Sequence, residues 1–195
     1  MDAPFGRMLT AMITPFGPDG SVDHGRAWEL AHHLVETGSD GLVVAGTTGE
    51  SPTLSDDEKV ALFRAVVEAV RGRARVIAGT GTNDTAHSVE LTRRAAEAGC
   101  HGVLAVTPYY SRPSQDGLVA HFEAIAGASP LPVMLYNIPG RTGRRIEVGT
   151  LACLAAHPGI VAVKDAVADL AFTTETVGAV GDGMAVYSGD DVNTL

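Results

Sequence analysis

The chain has 195 residues, with 14 Lys and Arg against 23 Asp and Glu, a formal charge of −9. That acidic balance excludes the basic face that nucleic-acid binding requires, while 45% apolar and 19% charged residues is the composition of a globular chain. The longest apolar runs, Gly41 to Gly46 and Val103 to Val106, fall far short of the roughly 18 residues a membrane span needs; with no signal pattern at Met1 to Gly6, a cytoplasmic, soluble single domain with no membrane or nucleic-acid partner is expected.

In chain order, short runs rich in Val, Ile and Ala alternate with polar turns and stretches of helical spacing, the signature of successive βα units. Strands are predicted near Leu9 to Thr14, Gly41 to Ala45, Arg75 to Gly79, Gly102 to Thr107, Pro132 to Asn137, Ile160 to Lys164 and Met184 to Ser188. Helices are predicted over Asp23 to Thr37, Ser55 to Arg71, Asp84 to Ala98, Gln115 to Ala128, Glu147 to Ala156 and Asp169 to Gly178. Ser55 with Glu58 three residues on is a helix start, Gly38 and Gly99 are stops, and Pro158 bars continuation. Strands apolar on both faces, alternating with helices, need a parallel sheet covered on both sides or closed into a barrel.

An open dinucleotide-binding sheet puts G-x-G-x-x-G after its first strand. Here the first strand ends Thr14-Pro15-Phe16-Gly17, and Gly79-Thr80-Gly81-Thr82-Asn83-Asp84 after the third lacks the last glycine, so it reads as a turn with a helix cap. Strand starts recur at intervals of 24 to 34 residues, the even cadence of a (β/α)8 TIM barrel. Such barrels have about 250 residues. The expectation is therefore an α/β TIM barrel truncated after the seventh strand: residues 1–195 as an incomplete catalytic domain, its eighth strand and C-terminal helices missing, and its edge strands left unpaired.

Catalytic groups in a barrel project from the C-terminal ends of the strands. The second strand ends Gly46-Thr47-Thr48-Gly49-Glu50-Ser51, where glycines let the backbone approach a ligand and offer amides to a carboxylate; a tight turn with a cap explains the segment equally well. The fourth ends Thr107-Pro108-Tyr109-Tyr110, two of the four tyrosines in one loop. The fifth ends Tyr136-Asn137-Ile138-Pro139-Gly140-Arg141, with Tyr136 on the face of Met134 and Arg141 in a Pro-Gly turn, suited to a bidentate grip on a carboxylate.

Of the 14 basic residues only Lys59 and Lys164 are lysines. Lys59, in a polar helix start, reads as solvated. Lys164 lies inside Ile160-Val161-Ala162-Val163-Lys164-Asp165-Ala166, sharing a face with Ala162. A buried ammonium is either paired, here with Asp165 or Glu50, or deprotonated and ready to form a Schiff base with a carbonyl; both readings stay open. What tips the balance towards catalysis is that Lys164, Tyr136, Arg141 and Thr47-Thr48 map to one rim, an amine nucleophile, a phenolic acid/base, a carboxylate anchor and hydroxyls for proton relay. No metal motif competes: adjacent His32 and His33 point apart, and Asp190-Asp191, near Gly189 and Asn193, fit helix capping. Cys100 and Cys153, without metal or redox spacing, read as small buried hydrophobes.

Taken together, Gly46-Thr47-Thr48-Gly49-Glu50, Thr107-Pro108-Tyr109-Tyr110, Tyr136 to Gly143 and Val163-Lys164-Asp165 resemble the pyruvate-dependent class I aldolases, the superfamily of dihydrodipicolinate synthase and N-acetylneuraminate lyase. The likeness runs from Met8 to the end, and Arg141 points to the synthase branch. The resemblance implies a metal-independent, cofactor-free lyase that condenses pyruvate with aspartate semialdehyde to 4-hydroxy-tetrahydrodipicolinate, for lysine and diaminopimelate biosynthesis. It implies Lys164 as Schiff-base lysine, Tyr136 as proton shuttle, Thr47 as relay to Tyr110 across a subunit boundary, Thr48 at pyruvate's carboxylate, Arg141 on the second substrate and Gly189 beside the site. It further implies a homo-oligomer, a dimer of dimers in full-length form. Where lysine-inhibited members of the family it resembles carry histidines in the helix after the Thr-Thr loop and a glutamate in the third βα loop, this chain has Asp56, Lys59 and His87, so feedback inhibition by lysine is expected to be weak or absent. Another pyruvate aldolase of the superfamily, or a hydratase-aldolase, is the neighbouring alternative; a non-catalytic fragment is the alternative from a different class.

Overall fold

The computed structural model describes residues 3–190. Seven parallel strands follow one another in chain order: β1 (Leu9–Ala11), β2 (Gly41–Val44), β3 (Arg75–Gly79), β4 (Gly102–Val106), β5 (Val133–Asn137), β6 (Ile160–Asp165) and β7 (Ala185–Ser188). Between them run α1 (His24–Glu36), α2 (Asp56–Val70), α3 (Thr85–Glu97), α4 (Gln115–Ala126), α5 (Pro139–Thr142), α6 (Val148–Leu154) and α7 (Leu170–Val180). This is the α/β alternation of a TIM barrel, carried through its seventh strand. No helix among the described residues is long and apolar enough to cross a membrane.

Two compact units divide the chain, one of residues 5–80 and 91–104, the other of 81–90, 105–190 and the described start of the chain. In the first, β2 is buried along its whole length, and Leu42 stands in register with Val76, Val43 with Ile77. A strand buried on both faces must be apolar throughout, as the sequence Gly-Leu-Val-Val is. Leu62, Phe63 and Val66 of α2 are fully buried. That helix begins with a complete capping box: Ser55 Oγ accepts from the Glu58 N–H, and the Glu58 carboxylate accepts from the Ser55 N–H, satisfying two amides that have no partner inside the helix.

The second unit holds β5, β6 and β7 in register, Met134 beside Ala162 beside Ala185, and one layer up Tyr136 beside Lys164 beside Tyr187. Asp84 accepts from the N–H groups of Ala86 and His87 at 2.9 and 3.2 Å. The Gly79-to-Asp84 segment thus ends in the cap expected of it.

Several expectations need correction. Lys59 is 5% exposed, its ammonium 3.6 Å from the Asp56 carboxylate one turn earlier, so it is a buried, paired cation. Cys100 is buried, its thiol pushed up to about 12 by desolvation, but Cys153 is exposed. The core positions of α6 are Thr150, Leu151 and Leu154, and residue 153 falls off that face. Arg141 lies in a one-turn helix, α5, that begins with Pro139 at its first position and ends on Gly143 at φ 71°. Proline preset for helical φ and glycine in the left-handed stop explain it.

Candidate active site

Lys164 sits near the C-terminal end of β6, where burial lowers the pKa of its amine from the ordinary value of 10.5. Its Nζ lies 4.6 Å from the centroid of the Tyr136 ring, and Tyr136 is 5% exposed. Asp165 does not pair with it. The Asp165 carboxylate is occupied by the Val167 N–H at 3.0 Å and the Thr173 hydroxyl at 2.6 Å, contacts that fix the turn into α7, and strand alternation sends it to the opposite face. Within its own unit Lys164 makes no ion pair among the described residues. Of the two partners considered for a buried ion pair, Asp165 is therefore excluded.

Gly189 lies against this lysine. A Cβ added to it would stand 2.9 Å from both Cγ and Cε of Lys164 and 3.1 Å from the Ala166 Cβ, closer than packed carbons approach. Its N–H donates to the Asp165 carbonyl at 2.6 Å. Tyr187, the register neighbour of Lys164 on β7, escaped the sequence reading, although the confinement of all four tyrosines to the chain beyond β4 was a usable signal. Asp190 follows; Asp191 and Asn193, considered above as cap or cation ligands, lie outside the described residues. No group of three potential metal-binding side chains occurs among the described residues.

The segment after β5 is tied down tightly. Asn137 is fully buried, and its side chain both donates to the Ile146 carbonyl and accepts from the Ile146 N–H, each at 3.0 Å. Thr142 donates to the carbonyls of Ile138 and Arg144 at 3.0 and 2.9 Å. Arg141 itself is exposed. The Tyr136 carbonyl accepts from the backbone and hydroxyl of Thr107 at 3.0 and 2.9 Å, locking the end of β5 to the start of the tyrosine loop. In that loop Tyr110 is 91% exposed at φ 71°, a backbone conformation costly for a bulky residue.

In the other unit, Ala45 at φ 51° turns the chain out of β2 into the Thr47-Thr48 loop. The loop closes on itself: the N–H groups of Gly49 and Ser51 donate to the Gly46 carbonyl, that of Glu50 donates to Thr47, and the Thr14 hydroxyl donates to Gly49 at 2.7 Å. Thr47 and Thr48 are exposed. Among the described residues, the N–H groups of Thr47 and Thr48 donate to no backbone carbonyl in this loop. Gly79 of β3 packs against the Ala45 carbonyl where any Cβ would collide, so a glycine there is what lets the loop leave β2 at this angle.

A 4-hydroxy-tetrahydrodipicolinate synthase of Acidothermus cellulolyticus is 59% identical over 193 residues, 99% of this chain and 62% of the relative. That of Mycolicibacterium paratuberculosis is 59% identical over 196 residues, 100% of this chain and 65% of the relative. Among solved structures, a dihydrodipicolinate synthase from Cyanidioschyzon merolae with lysine bound matches with a TM-score of 0.96 at 50% identity, covering 99% of this chain and 66% of that one. A Bacillus anthracis dihydrodipicolinate synthase matches at 0.94 and 50%, covering 96% and 64%. The chain therefore spans somewhat less than two thirds of the length of these relatives. The Dihydrodipicolinate synthetase family matches over residues 4–195, and the chain belongs to that family.

Proposed function

We propose that this chain carries the catalytic residues of a 4-hydroxy-tetrahydrodipicolinate synthase, a metal-independent, cytoplasmic lyase acting on pyruvate and aspartate semialdehyde, in a barrel domain to which residues 1–195 contribute. The Lys164 amine attacks the ketone carbon of pyruvate, and water leaves to give an imine. The protonated imine nitrogen draws electrons from the methyl carbon, which loses a proton and becomes an enamine. That carbon then bonds to the aldehyde carbon of the semialdehyde, whose oxygen takes a proton. The product's amine displaces Lys164 as the ring closes, regenerating the free lysine.

Tyr136 is assigned the proton transfers, with Thr47 relaying to Tyr110 of a second copy of the chain. Thr48, with the Thr47 and Thr48 amides, is assigned to pyruvate's carboxylate. Arg141 is assigned to the carboxylate of the semialdehyde, and Gly189 to the floor beside the lysine. The exposed, backbone-strained Tyr110 supports a homo-oligomer in which that ring finds its partner.

The observation that carries the reading is Lys164: a half-buried amine set over the ring of the buried Tyr136, without an ion pair in its unit among the described residues, its pKa lowered by burial in the direction imine formation favours. The test is pyruvate-dependent consumption of aspartate semialdehyde. Arg141→Ala is expected to lower kcat/KM for the semialdehyde by about 100-fold, the loss of a charge-assisted grip. Equal activity in the variant removes the assignment of Arg141, and consumption independent of pyruvate removes the reaction.

A further inference from the structure

We infer that Gln115, the first residue of α4, is a positioning residue for Arg141: its amide holds the segment that presents the guanidinium to the semialdehyde's carboxylate. The inference rests on the function proposed above. The Gln115 Nε2 donates to the Arg145 carbonyl at 2.9 Å, and its Oε1 accepts from the Glu147 N–H at 3.1 Å and from the Thr150 hydroxyl at 2.6 Å. One side chain from a separate helix thus joins the exit of the Arg141 segment to the first turn of α6.

Arg141 needs such help. It is exposed, in a helix of four residues, too short to hold itself in place. Its location is set by where the backbone of 138–146 is fixed. Asn137 fixes Ile146 from inside β5, Thr142 braces the turn internally, and Gln115 fixes residues 145 and 147 from outside. Arg145, just beyond, is further held by the Glu147 carboxylate at 2.8 Å and by the Phe172 ring at 4.9 Å. Of these ties Gln115 is the informative one. Asn137 adjoins Tyr136 on the same strand, so a change there disturbs the proton shuttle as well, whereas Gln115 reaches the Arg141 segment without contacting Tyr136 or Lys164. Misplacing a binding group by about 1 Å costs on the order of 100-fold at worst; loosening one anchor of three is a smaller perturbation.

The experiment compares the unaltered chain with Gln115→Ala, which loses all three bonds, and Gln115→Glu, which keeps the two accepted ones. KM for aspartate semialdehyde is expected to rise about tenfold in the first and about threefold in the second, with kcat changed less than about threefold. The pyruvate concentration giving half-maximal borohydride trapping at Lys164 is expected to stay within about twofold. In an Arg141→Ala background, Gln115→Ala is expected to add less than about a twofold loss, because both act through one group. Amide hydrogen exchange of the 138–146 peptide is expected to accelerate in Gln115→Ala while that of β6 does not.

A rise in pyruvate half-saturation equal to that in semialdehyde KM, or losses that multiply in the double variant, would overturn the inference. So would unchanged exchange of the 138–146 peptide. If the unaltered chain traps no pyruvate, the proposed function fails, and the exchange comparison still decides whether Gln115 holds this segment. Should Gln115→Ala not fold, the Gln115→Glu comparison decides alone.

Discussion

At the scale of residues, the contact between Gly189 and the Lys164 stem is the tightest constraint around the candidate nucleophile. A methyl group on Gly189 would press on Cγ and Cε at 2.9 Å, and the lysine stem, the only flexible party, would have to swing away from the Tyr136 ring. Gly189→Ala is therefore expected to slow pyruvate trapping at Lys164 by at least about tenfold while leaving the melting temperature nearly unchanged, since Gly189 follows the last residue of β7. Unchanged trapping would show that the stem has slack the packing does not suggest. Lys164 was legible in the sequence because a lone lysine interrupts a run of buried aliphatics, and burial of a charge is costly enough to need a reason. Lys59 was not. Its sequence neighbours are acidic, and only the packing of α2 reveals that the position faces inward with Asp56 for company. Tyr187 was missed for a related reason: nothing local marks it, and its place beside Lys164 comes from the register between β6 and β7, which no single segment contains.

At the scale of elements, α2 carries two side-chain pairs in its first turn. Its first turn holds the capping-box pair Ser55 and Glu58 and the buried pair Asp56 and Lys59, so a fixed cation occupies the position where the family resemblance locates a lysine-binding histidine. That ammonium is already paired with the Asp56 carboxylate, so this turn lacks the neutral imidazole acceptor that the resemblance locates here. The solved Cyanidioschyzon merolae relative holds lysine; for the present chain, lysine added at millimolar concentration is expected to leave the initial rate unchanged, and strong inhibition in a titration would contradict the assignment. Long periodic elements were readable end to end: β3 runs over the predicted residues, Arg75–Gly79, and α2 differs from prediction only by its cap residues. The one-turn α5 was not readable. Four residues carry no periodicity, and Pro139-Gly140 looks the same in a turn as at a helix start, so the sequence offers Arg141 as a candidate without the geometry that holds it.

At the scale of the whole molecule, the fold class was recoverable because βα cadence is a global pattern, whereas buried polar chemistry is not written in any pattern. His121 on α4 illustrates this. It is 4% exposed, shares a 2.8 Å hydrogen bond with the Thr85 hydroxyl, and has its pKa lowered to about 4 by burial, against an opposing pull from Asp84. Between its ordinary 6.5 and about 4, the unfolded chain binds a proton that the folded chain refuses. This contribution is therefore fully present above about pH 6.5 and is lost as pH falls towards 4, a change of roughly 3 kcal/mol. His101, whose Nδ1 accepts from the Val76 N–H and whose pKa is lowered by burial and then by Arg75, adds to the same slope. Urea midpoints measured from pH 7 to pH 4.5 are expected to fall steeply in the unaltered chain and less steeply in His121→Gln; parallel profiles would place the acid sensitivity elsewhere.

Whether Lys164 is an amine nucleophile for pyruvate is decided by trapping the imine. The chain is incubated with pyruvate and borohydride near neutral pH, digested, and the peptide containing Lys164 is analysed by mass spectrometry. A reduced pyruvate adduct is expected on Lys164 and none on Lys59, forming with an alkaline limb whose midpoint lies below the ordinary lysine value of 10.5 because burial favours the neutral amine. No adduct at Lys164, or equal labelling of the two lysines, would contradict that role.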